Sequence, residues 1–128
     1  MSERRRISSG GPWEAASGYS RAVVVGDACF VSGTTDAGPD GRSRHPGDIG
    51  GQVQASLEII GKALHDGGFE VEHVVRTRMY VTDISRAGEV LDVHRRWFGE
   101  VRPAATMVQV AALIDPSLLV EIEVDAQR

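Results

Sequence analysis

The run Val120-Glu121-Ile122-Glu123-Val124-Asp125 alternates aliphatic and acidic residues without a break, and it constrains the fold of this chain more than any other feature. Successive side chains of a β-strand point to opposite faces. Val120, Ile122 and Val124 therefore line one side, and Glu121, Glu123 and Asp125 the other. Three carboxylates on one strand face exceed what solubility requires. In a chain of 128 residues few other places can assemble acid/base chemistry. Upstream, Arg102-Pro103-Ala104-Ala105-Thr106-Met107-Val108-Gln109-Val110 is a second β-like run. With Asp115-Pro116-Ser117 between them, the two runs are expected to pair as a hairpin.

This length supports one domain with its own core and is too short for two of ordinary size. Hydrophobic residues make up 41% and charged residues 25%, a globular balance that argues against disorder. A formal charge of −4 gives no electrostatic reason to expect nucleic acid or an acidic membrane as partner. The single cysteine, Cys29, excludes an intramolecular disulfide and fits a reducing compartment. Arg4, Arg5 and Arg6 resemble the charged start of a signal peptide, but Ser8-Ser9-Gly10-Gly11 follows where an apolar stretch would be needed. No run approaches the roughly 20 apolar residues of a membrane span. The expectation is a soluble, cytoplasmic protein.

Along the chain, residues 1–17 are rich in Gly, Ser and Arg and read as a loose N-terminal arm, with a single domain over 18–128. Tyr19–Val25 and Cys29–Thr34 read as strands joined at Gly26-Asp27. Five glycines and two prolines make 36–51 a loop. A helix over about 48–65 carries Ile49, Val53, Leu57, Ile60 and Leu64 as an apolar stripe and ends at Gly67-Gly68. Val74–Thr82 is β-rich. A second helix over about 86–98, capped by Asp83 or Ser85, buries Val90, Val93 and Trp97 and is expected to stop at Gly99. The order is ββαβαββ, an α/β (α+β) domain whose sheet carries two helices on one face.

The other face is the clue to assembly. If Val75, Thr77, Met79 and Val81 meet the helices, then Arg76, Arg78 and Tyr80 point away, as Glu121 and Glu123 do. A polar face rich in both charge signs suits partial burial against another copy, so a homo-oligomer with clefts at its interfaces is expected.

Gly18-Tyr19-Ser20-Arg21-Ala22, Phe30-Val31-Ser32-Gly33, Gln52 through Leu57, Asp83-Ile84, Arg102-Pro103-Ala104 and Val120-Glu121-Ile122-Glu123 together resemble the Rid family, the YjgF-type reactive intermediate/imine deaminases. The ordered set spans roughly residues 18–126 and is more specific than any one piece. The resemblance implies a chorismate-mutase-like fold and a homotrimer, with three sheets forming a central barrel and three ligand clefts between subunits. It places a cleft tyrosine at Tyr19, a cleft serine at Ser32 and the acidic residue of the last strand at Glu121. Active imine deaminases of this family carry an arginine after Pro-Ala to hold the substrate carboxylate, and here that position is Ala105. The family's cysteine two residues on is Met107, and its helix asparagine falls at about Leu91. A guanidinium holds a carboxylate through two charge-assisted hydrogen bonds of about 1.5–3 kcal/mol each, and alanine offers neither.

Arg78 stands on the same expected face as Glu121. It either replaces the missing anchor or forms an ion pair with Glu121 or Glu123. Arg102 reaches the cleft rim or is a solvated loop residue. Glu121 either transfers protons, alone or through water, or is an interface charge. Tyr19 stacks on a ligand or covers the core edge, and Ser32, Ala105 and Met107 shape the cleft. Ser32 has no His/Asp set nearby that would make it a nucleophile. Cys29 reads as a small core residue and His94 as a packed one. The four histidines lack metal-ligand spacing, and the glycines of 38–51 form no phosphate loop, so neither metal nor cofactor is expected.

These observations lead to a trimeric Rid-type enzyme hydrolysing an imine, enamine or related C=N compound, with Glu121 steering water and passing a proton to the departing amine. A small-molecule ligand in an inter-subunit cleft and sister subunits are the expected partners. The alternatives are a non-catalytic protein that binds or senses a small metabolite and, more weakly given the negative charge, a ribonuclease.

Overall fold

The computed structural model describes residues 3–128. The chain runs β1 (Arg4–Ile7), α1 (Trp13–Ser17), β2 (Ala22–Val25), β3 (Ala28–Thr34), α2 (Ile49–Asp66), β4 (Val74–Val81), α3 (Ala87–Phe98), β5 (Ala104–Gln109) and β6 (Val120–Gln127), with short 3-10 turns at Val71–His73 and Ile84–Arg86. One six-stranded sheet has the order β1-β2-β3-β6-β4-β5. Only β4 and β5 run parallel; the other neighbours are antiparallel.

The alternation in β6 places the core. Val120, Ile122, Val124 and Ala126 are all buried, while Glu121, Glu123 and Asp125 are half-buried on the other side. Ile49, Val53, Leu57, Ile60 and Leu64 of α2, with Val90 and Val93 of α3, join the same apolar cluster. Both long helices therefore cover one face of the sheet. Asp48 caps α2 by accepting the Gly51 N–H at 3.0 Å. Gly68, at φ +86°, closes its other end, where Phe69 N–H bonds back to the Leu64 carbonyl.

Three expectations are corrected. The described part of the N-terminal segment is not loose: Arg4–Ile7 pairs with Ala22–Val25, and Ile7 enters the core. The last two runs form no hairpin, because β4 lies between β5 and β6 and pairs with both. Their connector crosses over the end of β4, where Val110 N–H bonds to the Val81 carbonyl and Thr82 N–H to that of Leu119. Val75 is 48% exposed and Val74 takes the buried position, because the register against β6 shifts between Val74 and Arg76. As expected, α3 stops at Gly99, which caps it in a right-handed conformation; Arg102, at φ 53°, is the left-handed residue and donates its N–H to the Phe98 carbonyl, 2.8 Å away.

Candidate functional site

A second register shift shapes the site. Val31 pairs with Val124 and Thr34 with Ile122, so Ser32 and Gly33 together face one residue of β6. The surplus residue loosens the sheet locally and leaves both half-buried rather than alternating. Glu121 uses the space: a β-carbon added to Gly33 would overlap its Oε2. Gly33 is needed for this close approach, not for a positive φ.

Tyr19, Arg21, Ser32, Gly33 and Glu121 line one open cleft of about 1290 Å³, which continues past Asp36, His45, α1 and the outer side of α2. Tyr19, Ser32 and Glu121, which the sequence pointed to, thus line one cleft. Tyr19 is 42% exposed. Ser32 spends its hydroxyl on the Ser20 carbonyl at 2.6 Å, and its N–H on that of Arg21 at 2.9 Å, so it locks the entry to β2. Burial raises the Glu121 carboxyl above the ordinary carboxylate range; Arg21 opposes that shift and Glu123 adds to it.

Arg21 is the cleft residue that the sequence reading left unassigned. Its Nη2 donates to the Gly33 carbonyl at 2.6 Å, and its guanidinium carbon lies 6.0 Å from the centre of the Tyr19 ring. The alternation of β2 held the signal: with Ala22 and Val24 buried, residue 21 falls on the same sheet face as Glu121. Asp36 and His45 were likewise unassigned. The wholly buried Asp36 accepts from the Ser43 hydroxyl at 2.8 Å and the His45 N–H at 3.0 Å, and its Oδ2 lies 3.0 Å from His45 Nδ1. No local pattern marks those two, because the loop from Thr35 to Asp48 has no period to read.

The remaining expected residues lie elsewhere. Arg78 forms ion pairs with Glu123 at 3.6 Å and Asp125 at 3.3 Å, not with Glu121. Tyr80 donates to Glu123 Oε1 at 2.7 Å, a bond that raises the tyrosine's pKa. Register places Ala105 beside Thr77 and Met107 beside Met79 on the helix-covered side of β4, whereas Glu121 sits beside Tyr80 on the open side. Met107 packs against the core and Ala105 is exposed. Within one protomer neither reaches Glu121, and Arg102 is an exposed residue beyond the end of α3. Cys29 is completely buried, which raises its thiol pKa. His94 Nε2 meets the Thr77 hydroxyl at 2.9 Å, and burial lowers its pKa. Among the described residues no group of three His, Cys, Asp or Glu side chains is placed to hold a metal ion.

A half-buried carboxyl group beside an arginine, in an open cleft, has the parts for proton transfer to a small polar ligand. Comparison with known proteins shows the family. Residues 11–128 match the family model described as endoribonuclease L-PSP. An uncharacterized protein of Streptomyces coelicolor is 36% identical over 124 residues, covering 97% of this chain and 92% of its own. The 2-iminobutanoate/2-iminopropanoate deaminase of Rattus norvegicus is 31% identical over 123 residues, 96% of this chain and 88% of that protein. The crystal structure of Rv2704 from Mycobacterium tuberculosis, a member of the YjgF/YER057c/UK114 family, superposes with a TM-score of 0.89 at 48% identity, covering 98% of this chain and 100% of that one. With its mixed sheet, its chorismate-mutase-like layering and these relatives, the chain belongs to the endoribonuclease L-PSP family, the Rid or YjgF-type proteins.

Proposed function

We propose that the protein is a homotrimeric hydrolase of imines or related C=N metabolites, acting in the cytoplasm through clefts completed between subunits. The observation that carries this reading is the Glu121 carboxyl group, half-buried, raised in pKa and seated on Gly33 at the wall of an open cleft. In its ionised form it takes a proton from water as the oxygen attacks the imine carbon. It then returns that proton to nitrogen, giving a carbinolamine, and relays the hydroxyl proton of that intermediate to the amine as the C–N bond breaks, leaving a carbonyl compound and ammonia. Relatives named as 2-iminobutanoate/2-iminopropanoate deaminases support the same chemistry.

Assembly is supported by the sheet's uncovered face, where Phe30 is 48% and Val108 42% exposed beside the half-buried Arg78, Tyr80 and Glu123. Arg102, Ala105 and Met107 belong to a cleft containing Glu121 only if the β5 side of a second copy supplies them. The buried, unpaired Cys29 fits a reducing compartment, and among the described residues no helix is long and apolar enough to cross a membrane. A polyanion is the poorer fit: Glu14, Asp36, Glu58, Asp115 and Glu121 outnumber Arg21, Arg44 and Lys62 along the cleft.

The test generates imines in situ from several amino acids with an amino-acid oxidase and follows their decay. Accelerated decay that disappears in Glu121→Gln supports the proposal. Ligand-induced thermal stabilisation with no turnover of any imine would replace it with a binding or sensing role.

A further inference from the structure

Arg21 is an unpaired cation built into the cleft wall. A guanidinium carries five N–H donors, and among the described residues only one of those on Arg21, at Nη2, has an acceptor. Its Nε is sealed from solvent with no partner among the described residues. No carboxylate among the described residues forms an ion pair with it. Of the nearby acids, Glu14 Oε2 accepts from the Ser9 N–H and hydroxyl, and Glu121 is near enough to favour the arginine's charge but forms no ion pair with it. Burial works against the arginine's charge, and Tyr19, Glu14 and Glu121 only partly offset it. A fixed, half-desolvated guanidinium with unspent donors is a preorganised receptor for a planar anion.

Arg21 and Glu121 also converge on one residue. The guanidinium is fixed to the carbonyl of Gly33 and the carboxyl group lies over its Cα. A carboxylate held by Arg21 would bring the carbon bonded directly to it toward Glu121. Position 105 offers no charge, and Arg78 is taken up by Glu123 and Asp125.

From this juxtaposition we infer that Arg21 is the anion anchor of the cleft, so that the ligand carries a carboxylate gripped from β2 and presents its adjacent C=N carbon to Glu121. The inference deepens the proposed function and rests on its choice of cleft, but not on turnover. It is tested by calorimetric titration of 2-oxobutanoate, and separately of its uncharged amide, into the native protein, Arg21→Gln and Arg21→Lys.

The acid is expected to bind the native protein better than the amide. Arg21→Gln should weaken the acid by about ten-fold or more while leaving the amide unchanged, and Arg21→Lys should keep part of the difference. Equal binding of acid and amide to the native protein, no binding of the acid, or undiminished acid affinity in Arg21→Gln overturns the inference. If Arg21→Gln does not fold, the acid-over-amide preference and the Arg21→Lys affinity decide. Arg21-dependent binding without hydrolysis of any imine sinks the enzymatic reading and leaves the anchor standing. Hydrolysis of a charged imine that proceeds undiminished in Arg21→Gln sinks the anchor alone.

Discussion

Glu121 lays its carboxyl group over the Cα of Gly33, so closely that a β-carbon at position 33 would collide with Oε2. The contact is possible because the register shift in β3 puts Ser32 and Gly33 opposite one residue of β6. Gly33→Ala therefore moves the carboxyl group rather than the backbone. Displacing an acid/base group by about 1 Å costs on the order of 10²-fold in rate. Imine decay measured beside a thermal melt should show that loss with little change in midpoint. An unchanged rate would mean that the position of the carboxyl group does not matter.

Glu121→Gln should cut turnover by about 10²–10⁴-fold. Its effect on stability has the opposite sign. The folded-state pKa is raised, mainly by burial, so the folded protein holds this proton to higher pH than the unfolded chain does. That contribution is present at low pH and is lost as pH rises from the ordinary carboxylate range through the raised value. Above that window the glutamine variant should melt no lower than the native protein, as a calorimetric pH series would show.

The charges facing Glu121 are Arg21, which lowers its pKa, and Glu123, which raises it. If the ionised form is the base, activity falls as pH drops through that pKa. Arg21→Gln should move the acid limb of kcat/KM to higher pH, and Glu123→Gln should move it lower. A limb that stays put in both variants assigns the titration to another group.

The parts of this fold with a period were legible in the residues. The α2 stripe from Ile49 to Leu64 and the β6 alternation both reappear as buried faces. What failed was long-range pairing. Nothing local in Asp115-Pro116-Ser117 says whether the flanking strands meet each other or both meet β4. The two register shifts were equally hidden, since period-two reading assigns Val75 to the core and Ser32 and Gly33 to opposite faces. The site divides the same way. Alternation puts both Glu121 and Arg21 on the open face, but the bond that fixes Arg21 depends on where Gly33 presents its carbonyl, and that follows from the shift in β3.

Asp36 should prove to be the clasp of the loop from Thr35 to Asp48. Its carboxylate is buried and serves Ser43 and His45 together. Asp36→Ala leaves the buried Ser43 hydroxyl without its acceptor, at roughly 1–3 kcal/mol, and the His45 N–H with Ser43 Oγ alone. Asp36→Asn keeps an acceptor oxygen and should lose less. Urea unfolding would rank the two variants, and equal stability of Asp36→Ala and the native protein would remove the clasp.

Assembly is the prediction on which the composite cleft depends. Glu121 and Ala105 occupy opposite faces of one sheet, on strands separated by β4. Side chains so placed cannot touch one ligand unless another copy brings its own β5 side to the cleft. Sedimentation should therefore give about three chain masses for the native protein. Phe30→Lys keeps the fold, because residue 30 is exposed and stands opposite Asp125 across the strand pair, where a cation is welcome. On the open face, however, it puts a charge where a sister sheet must pack, so the variant should sediment as a smaller species and lose imine turnover with its circular dichroism intact. A native protein that sediments as a monomer and still hydrolyses imines at full rate would place the whole site within a single chain.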